Sequence, residues 1–221
     1  KYYKVPSGEL TNLPLLEKIK KTNKMVFLST GMSNIKEISR ALRVFNKKKI
    51  ILMQCSSIYP CPDNYVGLNL IEEFKKKYKC KVGFSDHTLG SAASYAAAAT
   101  GAILIEKHFT ISRKMYGSDA KHSMEPDEFK IFCSNIKQIW NIKKYKVDKN
   151  NLNKFKEMKH IFEKSIYAKK NLMKGKVLTF SDLCFKKPSK HLRADNYKIL
   201  LGKKLKFNIK KDNPINVQDI K

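Results

Sequence analysis

Lys81-Val-Gly-Phe-Ser-Asp-His87-Thr88 and Ile103-Leu-Ile-Glu-Lys-His108-Phe-Thr110 are the two stretches whose reading decides the fold. Each is a strand-like run that ends on a histidine. Between them, residues 91–100 are rich in alanine, which lets a helix pack close against a sheet, and Gly101 can cap that helix. Strand, helix, strand in this order is a β-α-β unit. Its strands run parallel and lie about 5 Å apart when adjacent. The two imidazoles can then converge on one metal ion at the carboxyl edge of a sheet, where α/β proteins place their chemistry.

The same alternation extends outward. Apolar runs predict parallel strands near residues 2–6, 25–29, 50–55, 81–85 and 103–108. Leu13, Leu16 and Ile19 fit one helix face. Asn34 and Glu37 form a capping box for a helix that turns Ile35, Ile38, Leu42 and Phe45 inward. A further helix is expected from Asn69 to Lys77, and another from Pro126 with Phe129, Phe132, Ile136 and Ile139 on one side; Trp140 reads as part of that apolar face. Strands that are apolar nearly throughout indicate a parallel sheet covered by helices. Five such units make part of a (β/α)8 barrel or of a doubly wound sheet. Residues 146–161 are rich in Lys and Asn and read as a linker. Beyond them, turn signals recur between short apolar pieces, as expected of a small, β-rich domain over 162–221.

The net charge is +27, and of 46 basic residues only Arg40, Arg43, Arg113 and Arg193 are arginine. Nucleic-acid readers rely on arginine for bidentate contacts, so a scattered lysine surface argues against nucleic acid as a partner. No apolar run is long enough to span a bilayer, and no secretory signal opens the chain. Five cysteines without a paired spacing fit a reducing, cytoplasmic setting. His122, His160 and His191 have no strand-end setting and read as surface residues. Cys55 has no His-Asp pattern beside it and is not expected to act as a nucleophile.

Every predicted strand ends in polar residues: Ser7-Gly8-Glu9, Ser29-Thr30-Gly31, Ser56-Ser57 with Tyr59, Ser85-Asp86-His87 and Glu106-Lys107-His108. One cluster could be a helix cap; five at one edge mark a site. Small hydroxyls and glycine amides suit phosphate oxygens, and Lys4 or Lys107 could add positive charge. Glu106 and Lys107 are neighbours on a strand, so only one of them faces that site; Glu106 reads equally well as a barrel ion pair.

These segments, together with Met115-Tyr-Gly-Ser-Asp119 and Ser123-Met-Glu-Pro-Asp-Glu-Phe129, resemble in order and spacing the sialic acid synthase family. The resemblance covers nearly the whole chain. It implies the C-terminal five βα units of a (β/α)8 TIM barrel over residues 1–145, with Pro6-Ser-Gly-Glu9 at the end of the fourth barrel strand. A C-terminal antifreeze-like (SAF) domain over 162–221 is also implied. The family condenses phosphoenolpyruvate with an N-acetylated hexosamine to give a nonulosonic acid and phosphate, using Mn2+ or Mg2+. Carried over by position, Lys4, Ser7, Ser29 and Ser85 bind phosphoenolpyruvate and Glu9 orients that site. Ser57, which stands where some members have Asn, and Tyr59 lie near the enolpyruvate and the sugar. His87 and His108 are the metal ligands, and Asp119 holds sugar hydroxyls. Lys187 matches a basic residue, arginine in other members, that enters the partner subunit's site in a domain-swapped homodimer. The acceptor stays open between N-acetylmannosamine and the diacetamido-trideoxy sugars. The alternative is a catalytically incompetent fragment or binding protein that keeps the sugar and phosphate site.

Overall fold

The structure is a computed structural model and describes residues 1–221. The chain forms two compact units, Lys1–Lys146 and Val147–Lys221.

In the first unit, β1 (Tyr2–Val5), β2 (Met25–Ser29), β3 (Ile50–Cys55), β4 (Lys81–Asp86) and β5 (Ile105–Lys107) pair in chain order, all parallel. Four helices fill the connections: α1 (Leu13–Lys21), α2 (Ile35–Val44), α3 (Asn69–Tyr78) and α4 (Ala92–Thr100). The longest, α5 (Pro126–Lys144), follows β5. Local chemistry fixes where they begin and end. Asn34 and Glu37 form the expected capping box of α2. Gly101 closes α4 at φ 108°, a conformation that a side chain resists. The fifth strand is shorter than its apolar run. The Ile103 and Phe84 amides bond to Val82 and Leu104 carbonyls, but regular ladder pairing begins only at Ile105.

Alternation along the strands separates two faces. Val26, Leu28, Ile50, Leu52, Val82 and Phe84 are buried against Leu16, Ile38, Leu42, Ile71, Phe74 and Ala97 from the helices. Each large side chain withdrawn in this way contributes about 1.5–3 kcal/mol. Ile35, expected in this layer, instead stays exposed at the first turn of α2. The other face carries Lys4, Ser29, Cys55, Ser85 and Glu106. The sheet curls around that face so far that Lys4 on one edge strand reaches Glu106 on the other, Nζ to Oε2 3.1 Å. The unit is therefore an α/β layer with a curled parallel sheet.

The second unit contains α6 (Lys156–Phe162) and an antiparallel pair, β6 (Ser165–Ala168) with β7 (Leu183–Lys186). Its α6 falls in the stretch read as a linker and carries a Lys159–Glu163 pair at 3.0 Å. A separate core of Ile166, Leu172, Leu178, Leu183, Leu200, Leu205, Ile209 and Ile215 holds it together. Its bonds come in twins. The Lys174 amide donates to Asn208 and the Lys211 amide to Asn171, while Leu172 and Ile209 exchange both backbone bonds. Thr179 with Asp182 and Asn216 with Asp219 form matching capping boxes. The offset between counterparts is constant, so residues 171–183 and 208–220 are two copies of one structural motif.

Candidate active site

At the carboxyl edge of the curled sheet, a cavity of about 400 Å³ opens among the strand ends. Register creates it. Cys55 lies beside Ser85 and Ser85 beside Glu106, so one inward row crosses three strands. One residue past the Asp86–Lys107 pair in the β4–β5 ladder, the chain reaches His87 and His108 at the same level. Both histidines, Lys4, Ser7, Ser29, Ser57, Tyr59 and Ser85 line the cavity.

The two imidazoles stand edge to face, centroids 5.3 Å apart and planes at 85°. His87 Nδ1 lies 2.5 Å from the Ser56 carbonyl oxygen. A carbonyl only accepts, so Nδ1 carries the proton and Nε2 keeps its lone pair. Burial is the main influence on this ring and holds its pKa below the usual histidine value. His108 Nδ1 is 3.6 Å from the Asp119 carboxylate. Tyr59 covers both rings, 4.1 Å and 5.7 Å between centroids. Burial raises its phenol, aided by Cys55, Asp119 and Glu106, so it stays a proton donor.

Below the histidines sits a nest of hydroxyls. The Gly31 amide donates to Ser7 Oγ at 2.9 Å. Ser29 Oγ is buried and has no partner, and Ser85, two strands away, is buried on the same face. A Cβ placed on Gly31 would lie 2.4 Å from Ser57 Oγ and 2.8 Å from Ser7 Oγ, so glycine keeps this wall open. Cys55 Sγ contacts Ser7 Oγ and His87 Nδ1, each at 3.8 Å. Burial pushes its thiol up, which agrees with an inert residue.

Not every residue singled out from the sequence lies in this cavity. Glu9 is turned away; its carboxylate accepts from Asn12, which in turn N-caps α1. Asp119 is not among the residues that line the cavity; its exposed carboxylate lies at the rim of His108, 3.6 Å from Nδ1. Lys107 contributes to the cavity lining, but its buried ammonium turns to the helix side of the sheet and meets Asp86 at 3.0 Å, so of the two lysines only Lys4 supplies charge. Glu106 faces inward as the partner of Lys4. Lys187 belongs to the second unit, where its ammonium lies 5.0 Å from the Phe162 ring centroid. His122 is half-buried in a second cavity with Tyr95 and Phe132, outside this site. The carbonyl of Ser56 escaped the sequence reading because a main-chain acceptor leaves no residue signature. Cys55 was recognisable, sharing the two-residue alternation of Ser57.

Fold and cavity define an α/β protein with its chemistry at the carboxyl edge of a curled parallel sheet. The chain belongs to the NeuB family, whose model matches residues 1–163, and a SAF domain model matches residues 163–221. It is 42% identical over 220 residues to N,N'-diacetyllegionaminic acid synthase of Campylobacter jejuni, covering 97% of this chain and 66% of that protein. Identity to pseudaminic acid synthase of Helicobacter pylori is 31%, over 99% of this chain and 65% of that one. The chain thus spans about two thirds of the length of these relatives. Among solved structures, the sialic acid synthetase of Leptospira borgpetersenii, a citrate complex, superposes with a TM-score of 0.65 at 30% identity, over 71% of this chain and 56% of that one. The spore coat polysaccharide biosynthesis protein SpsE of Bacillus subtilis gives 0.61 at 27% identity, covering 100% of this chain and 67% of that one. No helix is long and apolar enough to cross a membrane.

Proposed function

We propose that the chain carries the phosphoenolpyruvate and metal sites of a nonulosonic acid synthase. In this reading its five strands are the C-terminal strands of a (β/α)8 barrel. The reaction joins C3 of phosphoenolpyruvate to the aldehyde carbon of an N-acetylated hexosamine; water adds at C2 and phosphate departs with C–O cleavage. The observation that carries the reading is the convergence of His87 and His108 above a serine nest with a single inward lysine.

The donor set fits a divalent transition ion. Two imidazoles, one with its tautomer fixed by Ser56, offer nitrogen donors, which favour a first-row transition ion over Ca2+; of the family's Mn2+ and Mg2+, Mn2+ is the transition ion. When bound, the metal supplies a Lewis acid for the sugar aldehyde.

The protein's own groups do the rest. Ser7, Ser29 and Ser85 offer hydroxyls to the phosphate, and the unpartnered Ser29 Oγ gains its missing hydrogen bond there. Lys4 offsets the phosphate charge while Glu106 fixes its position. Tyr59, its proton retained, covers the reacting carbons and donates toward oxygen. Asp119 accepts from sugar hydroxyls beside His108. Lys187 serves the sugar site of a second subunit in a homodimer.

The enzyme reading is favoured over a binding protein by relatives that are themselves synthases. The identity to the legionaminic acid enzyme makes a diacetamido-trideoxy hexose the first acceptor to assay, before N-acetylmannosamine. Mn2+ titration of the chain, with and without phosphoenolpyruvate, tests the site. One equivalent should bind, and His87→Ala and His108→Ala should each abolish binding while the near-ultraviolet circular dichroism stays unchanged. Tight Mn2+ binding in both variants refutes the two-histidine site.

A further inference from the structure

On the opposite side of the sheet from the cavity, two charged residues are buried together. Asp86 and Lys107 face each other in the β4–β5 register, with Nζ to Oδ2 at 3.0 Å and side chains 0% and 2% exposed. Each immediately precedes one of the two histidines. A bare pair this deep gains little over an apolar pair, because removing both ions from water costs nearly what their attraction returns. Its partners show where the interaction is directed. The Thr88 amide donates to Asp86 Oδ1 at 2.8 Å, Ser94 Oγ of α4 donates to Oδ2, and the Lys107 ammonium also donates to the Thr88 carbonyl.

Both main-chain groups of Thr88 are therefore tied to the pair, and His87 is held between two fixed residues. Its own carbonyl accepts from the Cys61 amide at 2.8 Å. Side chains alternate across a strand, so fixing Asp86 and Lys107 outward fixes His87 and His108 inward. We propose that Asp86 and Lys107, braced by Ser94, are positioning residues: a buried ionic clamp that sets the rotation and spacing of the two imidazoles. Groups behind a metal ligand typically change affinity by about 10- to 100-fold when lost. Here the clamp reaches the ligands through the backbone rather than through the rings.

The metal arm of the proposal rests on the two-histidine reading; the geometric arm does not. Long-range 1H–15N spectra of the metal-free, 15N-histidine-labelled chain should show His87 as a single Nδ1-protonated tautomer. Asp86→Asn should convert it to a mixture and weaken Mn2+ by about 10- to 100-fold. Because that variant strands a buried ammonium and can fail to fold, Asp86→Asn/Lys107→Met removes both charges, and Ser94→Ala removes only the brace. The double variant should stay folded, lose the single tautomer and bind Mn2+ about tenfold more weakly. Ser94→Ala should show a smaller loss of both. Lower melting temperatures with an unchanged His87 spectrum and unchanged Mn2+ affinity would make the pair structural only and overturn the clamp. If the parent chain binds no Mn2+ at its histidines, the metal reading fails by itself, and the tautomer spectra still decide the clamp.

Discussion

Gly31→Ala offers a close test of the proposed phosphate nest, because the structure gives its consequences atom by atom. The residue is not at positive φ, so alanine adds no backbone strain. The new methyl instead meets Ser57 Oγ at 2.4 Å, Ser7 Oγ at 2.8 Å and Cys55 Sγ at 3.0 Å. Ordinary contact requires Ser57 Oγ to retreat by about 1 Å and Ser7 Oγ by about 0.6 Å. The second shift also lengthens and weakens the bond that Ser7 accepts from the Gly31 amide. Overpacking of this kind costs about 1–3 kcal/mol of stability. A displaced hydroxyl that no longer reaches a charged phosphate costs about 1.5–3 kcal/mol of binding, or about 10- to 150-fold in Kd. Calorimetric titration with phosphoenolpyruvate, beside thermal unfolding, measures both. Gly8→Ala is the stability control, because no atom lies within 4 Å of its Cβ; it should melt with the parent. A Gly31→Ala chain that binds phosphoenolpyruvate within twofold of the parent would show that these serines do not hold the phosphate.

Three further outcomes are expected. In the second unit, burial raises the Asp182 carboxyl, but the Thr179 amide and hydroxyl and Lys170 outweigh it and hold its pKa at about 2. A depressed carboxylate stabilises above its unfolded pKa, so about 1–2 kcal/mol should be lost as pH falls from about 5 to 2, with the half-exposed lysines discounted for screening. Urea titrations should show this slope in the parent and its reduction in Asp182→Asn; equal slopes contradict the assignment. Lys187→Ala should raise the sugar KM with Mn2+ affinity unchanged, and Lys187→Arg should hold or lower it, since guanidinium binds oxygens in a fixed fork; indifferent sugar kinetics would remove Lys187 from the site. Cys55, whose thiol burial pushes up, should react with iodoacetamide at pH 8 at least about tenfold more slowly than a free thiol. Phosphoenolpyruvate should slow it further, and rapid, ligand-independent labelling would place the thiol outside the cavity.

Much of the first unit was legible because parallel strands buried on the helix side leave unbroken apolar runs, and helix ends such as Asn34 and Gly101 carry their own signatures. The histidines were legible for a related reason: strand ends recur at one edge, so polar residues there accumulate where chemistry can use them. What escaped depends on parity and on main chain. Nothing in the chain around Glu106-Lys107 says which side chain points inward until the register with β4 is known; then Glu106 joins His108 and Lys107 joins Asp86. Glu9 failed to reach the cavity because the tight turn over residues 7–9 swings it toward Asn12. In the second unit the apolar pieces are too short for a period, and the doubling of residues 171–183 in 208–220 emerges only from the paired hydrogen bonds.

That doubling constrains how the second unit comes into being. The two copies do not stand side by side as independent folds; each supplies the donors that the other's acceptors require. When synthesis has reached only Leu201, Asn171 has no Lys211 amide to accept from and Leu172 has no Ile209 to exchange with. Its bonds are long-range in sequence, so loop closure must precede any gain from forming them. The unit should consequently assemble cooperatively, once residues 208–220 are available to pair with 171–183. Lys187, carried on the connector between the two copies, acquires a fixed position only when that assembly is complete.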